Sequence, residues 1–216
     1  MGSKHMIGRD SDPAPYWNEA REALCDVDPV LGDLIREAGD SVLRPRNDPF
    51  FSLARSVVGQ QISVMAAESV WQKLVAQTGE INAEAFAKQS PEELRACGLS
   101  RQKVAYMHSL AEHFLDGGVD ADAWPEMDDE AIIKQLTEVK GIGRWTAEMF
   151  LIFHLLRPDV MPVADIGIQK AMANHYSKGV RPKPKQMIAI AKKWRPWRSV
   201  AVWYLWRSLD AVPVEY

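Results

Sequence analysis

Two places in the sequence carry residues whose types and spacing could do chemistry. The first is KGIGRWT, residues 140–146, where Gly141 and Gly143 stand two apart between apolar, helix-forming runs. A glycine inside a helix costs about 1 kcal/mol relative to alanine, so the pair marks a turn. A tight turn of small residues lets the next helix begin with its backbone N–H groups exposed. Those groups and the positive end of the helix dipole together make an anion site suited to a phosphate. For a lone G-x-G, an ordinary helix–helix connection is the plain alternative. The second place is Asp165, which follows the Pro162 loop and precedes IGIQKAM. It reads as a helix N-cap, and a carboxylate fixed there can also stabilise developing positive charge or orient a water; the two roles are compatible.

The elements that must position these residues read as helices. In SPEELRACG, Ser90 caps, Pro91 takes the first helical position, Glu93 completes a capping box and Gly98 stops the run. Ser100 caps a helix whose Val104, Met107, Leu110, Ala111, Phe114 and Leu115 fall at helical spacing, ended by Gly117 and Gly118. The same pattern continues through DDEAIIKQLTEV, RWTAEMFLIFHLL, IGIQKAMANHY, PKQMIAIAKKW and WRSVAVWYLWRSL. Upstream, FFSLARSVVGQQISVMAAESVWQKLVAQTG reads as one bent helix or two, jointed at Gly59 or at the adjacent glutamines. No sustained period-two alternation occurs, so the fold class is all-α with about ten helices. The glycine pair therefore sits in a helix (128–139), a hairpin (140–143) and a second helix (144–156).

Composition sets the outer limits. The chain has 216 residues, of which 47% are hydrophobic, enough for one large domain or two small lobes. No apolar stretch approaches the ~20 residues of a membrane span and no signal peptide is visible, which points to a soluble cytoplasmic protein. MGSKHM, residues 1–6, resembles a cloning remnant. Two cysteines, Cys25 and Cys97, exclude a four-cysteine iron–sulfur cluster or zinc ribbon, and the histidines are dispersed, with His108, His154 and His175 reading as ordinary helix residues. Net charge is −3, yet Ile166 to Leu209 contains no Asp or Glu and carries ten Lys and Arg: 170, 178, 181, 183, 185, 192, 193, 195, 198 and 207. That leaves −13 to the rest of the chain. Such asymmetry suits either an anionic partner or a plain solvated basic surface.

LTEVKGIGRWTAEMF followed by MPVADIGIQKAM resembles the hairpin, loop and aspartate signature of the helix-hairpin-helix DNA glycosylase superfamily. WRPWRSVAVWYLW is similar to its alkylbase branch, the DNA-3-methyladenine glycosylase II type. The likeness runs from about Phe50 to Leu209, with the aspartate 22 residues beyond Gly143. It implies two helical lobes around a DNA-binding cleft: residues 7–50 packing with a C-terminal lobe at 161–216, and a middle lobe at 51–160 that includes the hairpin element 128–156.

The resemblance also implies roles. Asp165 becomes the catalytic aspartate, facing the positive charge that develops on a sugar as its N-glycosidic bond breaks. Trp145 stands where strand-nicking relatives carry a lysine nucleophile, which implies a monofunctional enzyme that uses water and leaves an abasic site. Trp145 and Trp206 match the base pocket, and a cationic alkylated purine such as 3-methyladenine or 7-methylguanine gains ~0.5–2 kcal/mol stacked on tryptophan. Met149 and Ile166 stand where some relatives carry tyrosines. Trp197 and Trp203 read better as core. Gln61 matches the position of a wedge that fills the gap left by a flipped base, with Gln60 beside it; a solvent-facing helix joint is the alternative.

Gly141, Gly143 and Thr146 would bind DNA phosphate, joined by Lys170 from the basic segment. No cofactor is expected beyond a structural Na+ or K+ on the backbone carbonyls of Thr137, Val139 and Ile142. The partner implied is double-stranded DNA containing alkylated bases, met by a monomer in the bacterial nucleoid, or in the nucleus of a eukaryote. Two rivals stay open: a non-catalytic hairpin module that binds DNA, and a glycosylase for a different damaged or mismatched base.

Overall fold

The computed structural model describes residues 13–44 and 48–209; the expected cloning remnant lies outside them. Among the described residues twelve α-helices run in order: α1 (Trp17–Val27), α2 (Pro29–Ala38), α3 (Pro49–Gly59), α4 (Val64–Thr78), α5 (Ala83–Ala87), α6 (Pro91–Ala96), α7 (Arg101–Leu115), α8 (Asp129–Glu138), α9 (Arg144–Phe153), α10 (Ile166–Tyr176), α11 (Pro184–Ala191) and α12 (Arg198–Arg207). No strand occurs among the described residues, as the missing period-two pattern required. The all-α fold with about ten helices expected from the sequence is what these residues form, and segments such as the five-residue α5 are simply too brief to show a period.

Local chemistry explains most of the boundaries. Eight helices begin with a side chain accepting a backbone N–H: Asp28, Asp48, Ser63, Asn82, Ser90, Ser100, Asp128 and Asp165. Each such cap contributes about 1 kcal/mol. Ser90 and Glu93 form the reciprocal capping box read from the sequence. The long upstream run resolves into two helices, α3 and α4, because Ser63 caps a new start and Gln61 adopts a left-handed φ of +58°. The helix after the hairpin ends at Phe153 rather than Leu156, which itself has a φ of +51°.

The chain divides into two compact units, Asn47–Phe150 and Met1–Arg46 with Leu151–Tyr216, and α9 runs through the division. In the first, α3, α5 and α6 pack on α7. Leu53, Val57, Phe86, Leu94, Met107 and Leu110 fill its core, and Phe50 meets Phe86 and Phe114 edge-on or tilted. In the second, α1, α2 and α10 pack against α12. Seven consecutive α12 residues, Ser199 to Leu205, are buried, so this helix is enclosed on every side. Trp203 stands edge-on to Trp17 at 5.2 Å and Trp197 stacks on Tyr16 at 5.4 Å, so both tryptophans read as core do pack internally. No helix among the described residues is long and apolar enough to cross a membrane.

The second unit is also pinned by one buried acid. Asp28, 1% exposed, caps α2 with one carboxylate oxygen. Its other oxygen accepts from Trp194 Nε1 (2.7 Å), Tyr176 Oη (2.9 Å) and Lys193 Nζ (3.1 Å). Burial opposes charging this group, but those three donors outweigh it and hold the pKa below the ordinary carboxylate value.

Candidate active site

The hairpin is shaped by its two glycines for different reasons. Gly141 has a φ of +86°, and a Cβ there would lie 2.2 Å from the Tyr106 ring, so no other residue fits. A Cβ at Gly143 would meet nothing within 4 Å, and its φ is not left-handed. Only Gly141, then, is demanded by the fold. Gly143 keeps the approach to the N-terminus of α9 clear, and its carbonyl accepts from Ala147 N (3.0 Å) to start that helix. The turn closes through Ile142 N to the Val139 carbonyl (3.1 Å), and Lys140 N donates to Ser109 Oγ (3.1 Å) on α7.

Thr146, expected to assist at a phosphate, is buried, so only its backbone N–H belongs to the helix mouth. Arg144, which the sequence reading passed over, forks onto Glu130 and also reaches buried Glu148 (3.0 Å). A cation at a helix N-terminus opposes the dipole. The two carboxylates neutralise it, Glu130 ties α8 to α9, and Arg144 holds the Glu130 carboxyl below its ordinary pKa.

The paired glutamines separate. Gln60 is half-buried and its Nε2 donates to the Gly141 carbonyl (2.9 Å), so it is committed to the hairpin. Gln61 is exposed, beside exposed Ile62, Val64 and Met65. Lys103 of α7 donates to the carbonyls of Val58 and Gln60, both at 2.7 Å, and burial pushes its amine below the ordinary lysine value.

Asp165 is 7% exposed and caps α10, its Oδ1 accepting from Ile168 N (2.7 Å) and from the indole N–H of Trp206 (2.8 Å). Trp206 in turn stacks on Phe153 at 5.4 Å. The indole can lie there because residue 167 is glycine: a Cβ would come within 3.0 Å of the Trp206 ring and 3.1 Å of Asp165 Oδ1. The loop before Asp165 is secured by three hydrogen bonds. Val163 N bonds the Met161 carbonyl and Asp165 N bonds that of Pro162, while Gln169 Nε2 holds the Val163 carbonyl (2.9 Å). Further back, the Arg198 guanidinium clasps Asp159, and Val160 N donates to Ser199 Oγ.

Of the expected base-pocket residues, Trp206 stands against Asp165, and Ile166 next to it is 68% exposed. Trp145, half-buried, and Met149, buried, belong to the other unit. Trp145, Met149 and Phe153 recur every four residues and so share one face of α9. Lys170 is exposed on α10. The basic run is less uniform than its charge count suggests. Lys193 is spent on Asp28, Arg195 and Arg198 on Asp159, and Arg207 lies over the Trp203 ring, leaving Lys170, Lys178, Arg181, Lys183, Lys185 and Lys192 as exposed cations.

Among the described residues no group of three His, Cys, Asp or Glu could hold a metal ion. The carbonyls of Thr137, Val139 and Ile142 lie in the last turn of α8 and the turn after it. All three donors are neutral oxygens at the negative end of a helix dipole, a set that fits a hard monovalent cation.

Sequence reasoning missed Gly167, Phe153, Lys103, Tyr106 and Ser109. One signal was legible: a glycine in the first turn of a helix, as in DIGIQ, is a costly choice that asks for a close neighbour. The others act through tertiary contacts that leave no trace in spacing.

Residues 54–196 match the family model of the HhH-GPD superfamily of base excision DNA repair proteins. The chain is 28% identical to the alkylbase DNA glycosidase-like protein mag2 of Schizosaccharomyces pombe, over 93% of this chain and 96% of that protein. Among solved structures it resembles a DNA-3-methyladenine glycosidase from Bacillus halodurans, with a TM-score of 0.81 and 33% identity over 94% of this chain and 92% of that one. It also resembles the S. pombe 3-methyladenine DNA glycosylase Mag1 in complex with abasic DNA, with a TM-score of 0.77 and 30% identity over 89% of this chain and 98% of that one. The match runs unbroken through the hairpin, the loop strapped by Asp159 and the capping Asp165, and the chain therefore belongs to the HhH-GPD superfamily of base excision DNA repair proteins.

Proposed function

We propose that this protein is a monofunctional DNA glycosylase that hydrolyses the N-glycosidic bond of alkylated, cationic purines such as 3-methyladenine and 7-methylguanine. The observation that carries the reading is Asp165: a buried carboxylate held by an α-helix N-terminus and an indole N–H, in a chain that belongs to a base excision repair family. The two structural relatives, named for 3-methyladenine, support the substrate class, and the abasic DNA bound to one of them supports DNA as partner.

In the reaction the bond between the sugar C1′ and the base nitrogen breaks, and its electron pair leaves with the base. A base that is already cationic leaves as a neutral molecule and needs little protonation. The positive charge left on the sugar is stabilised by the Asp165 carboxylate, whose two fixed donors hold it in place so that no reorganisation is needed as charge develops. Water then adds to C1′ and gives up a proton, for which Asp165 is the acceptor. Trp145, in place of an amine, supports hydrolysis without strand cleavage. The open mouth of α9 at Gly143 binds a backbone phosphate, and Gln61 fills the stack.

A Na+ or K+ on the carbonyls of Thr137, Val139 and Ile142 would add positive field at the hairpin and no redox or Lewis-acid chemistry. The enzyme acts as a monomer on chromosomal DNA, in the nucleoid of a bacterium or the nucleus of a eukaryote. The test is a duplex methylated on purines, with released base identified by chromatography and strand breaks scored before and after alkali. Released 3-methyladenine with breaks only after alkali supports the reading. Breaks without alkali would make the protein a lyase, and DNA binding without base release would make it a non-catalytic module.

A further inference from the structure

Three residues on one face of α7 reach two loops that are far apart in sequence. Lys103, Tyr106 and Ser109 stand three positions apart, each a neighbour of the next on the helix surface. Lys103 Nζ holds the Val58 and Gln60 carbonyls at 2.7 Å each, at the C-terminal end of α3, where a cation also complements the helix dipole. The Tyr106 ring lies against Gly141 so closely that no side chain fits there, and Gln102 Nε2 donates to the Tyr106 hydroxyl. Ser109 Oγ accepts from Lys140 N at 3.1 Å. The two loops are then joined directly by Gln60 Nε2 to the Gly141 carbonyl at 2.9 Å.

We infer that Gln60 and Lys103 are positioning residues that lock the α3–α4 turn to the hairpin on the face of α7, so that the segment entering the duplex and the phosphate-binding turn act as one rigid jaw. The inference rests on the glycosylase reading for what the jaw does, and on the hydrogen bonds alone for its rigidity. Gln61 carries the consequence. Its left-handed φ of +58° is strained for a residue with a side chain and persists only where the surroundings fix it. The residue before it is fixed at two points: the Gln60 carbonyl by Lys103 and the Gln60 side chain by Gly141. Gln61 is thereby presented outward, with Ile62, Val64 and Met65 forming an exposed apolar rim beside it. Gln60 contributes by aiming its neighbour and does not itself enter the DNA.

The experiment uses the full chain with Gln60→Met, which keeps the length of the side chain and removes its donor, and Lys103→Met, with Lys103→Arg as the conservative rescue. Amide hydrogen exchange is read over residues 57–65 and 137–144, without DNA. Affinity for an undamaged duplex and the single-turnover excision rate are read in parallel. Gln60→Met should speed exchange in the hairpin segment, to which it donates a hydrogen bond, and Lys103→Met should speed it in both segments while Lys103→Arg restores protection. Duplex affinity should stay within about 2-fold while the excision rate falls about 10–100-fold, as expected when a reacting group is displaced by about 1 Å. Unchanged exchange in 137–144, or a loss of affinity with no loss of rate, would overturn the inference and make Gln60 a DNA contact. Faster exchange in a protein whose wild type releases no base would uphold the jaw and sink the glycosylase reading alone.

Discussion

Asp165 and the two hairpin glycines each hold their place for reasons that can be separated by substitution. Gly141→Ala meets both a left-handed φ and the Tyr106 ring, so it should destabilise the protein by about 2–4 kcal/mol, read as a lower thermal midpoint. Gly143→Ala meets neither obstacle and should change stability by less than about 0.5 kcal/mol, yet weaken duplex binding by placing a methyl in the phosphate's path. Equal stability losses at both positions would contradict this division. Trp206→Phe keeps the ring that stacks on Phe153 and removes the donor to Asp165. Excision should slow about 10-fold at unchanged fold, the worth of one hydrogen bond to a charged group. The sequence showed that Asp165 caps a helix and that Trp206 is aromatic. It did not show that the two are bonded, because their 41-residue separation is closed only by the packing of α10 on α12, with Gly167 making the room.

At the scale of elements, helix starts were the most legible feature, since caps at Ser90, Ser100 and Asp128 depend on neighbours in sequence. Helix ends and joints were less so. The Gln60–Ser63 joint needs Gln61 in a left-handed conformation that its residue type does not announce, and it is held by Lys103 from a different helix. Asp28 is the clearest case of an element held by a distant partner: it caps α2 and anchors Trp194, Tyr176 and Lys193. Because its folded pKa is depressed, its stabilisation is fully present above the unfolded carboxylate value near 3.9 and is lost as pH falls through the folded value. Asp28→Asn should therefore cost about 2–3 kcal/mol at neutral pH, and the cost should shrink below about pH 3.9. Thermal melts of both proteins from pH 7 to pH 2.5 would show it; a difference independent of pH would contradict the assignment.

For the molecule as a whole, charge is where sequence and structure part most. The ten cations of the C-terminal segment looked equivalent in the sequence, but four are committed to Asp28, Asp159 and Trp203. Lys183 and Lys193 separate the two classes. Lys183→Ala should reduce the slope of log affinity against log salt by about 1 if that lysine meets a phosphate, with stability unchanged. Lys193→Ala should lower stability and leave the slope alone. The reverse pattern would mean that the exposed cations are solvated surface and that DNA is held elsewhere.

Asparagine separates stabilisation of the reacting sugar by Asp165 from mere capping of α10, because it caps nearly as well as aspartate. The measurement is the single-turnover rate of base release from a duplex carrying one alkylated purine, with duplex affinity measured on the same preparations of wild type and Asp165→Asn. Asp165→Asn should bind the duplex within about 2-fold of wild type and release the base about 10²–10³-fold more slowly or worse. Base release by Asp165→Asn at close to the wild-type rate would contradict it and return Asp165 to the role of a helix cap.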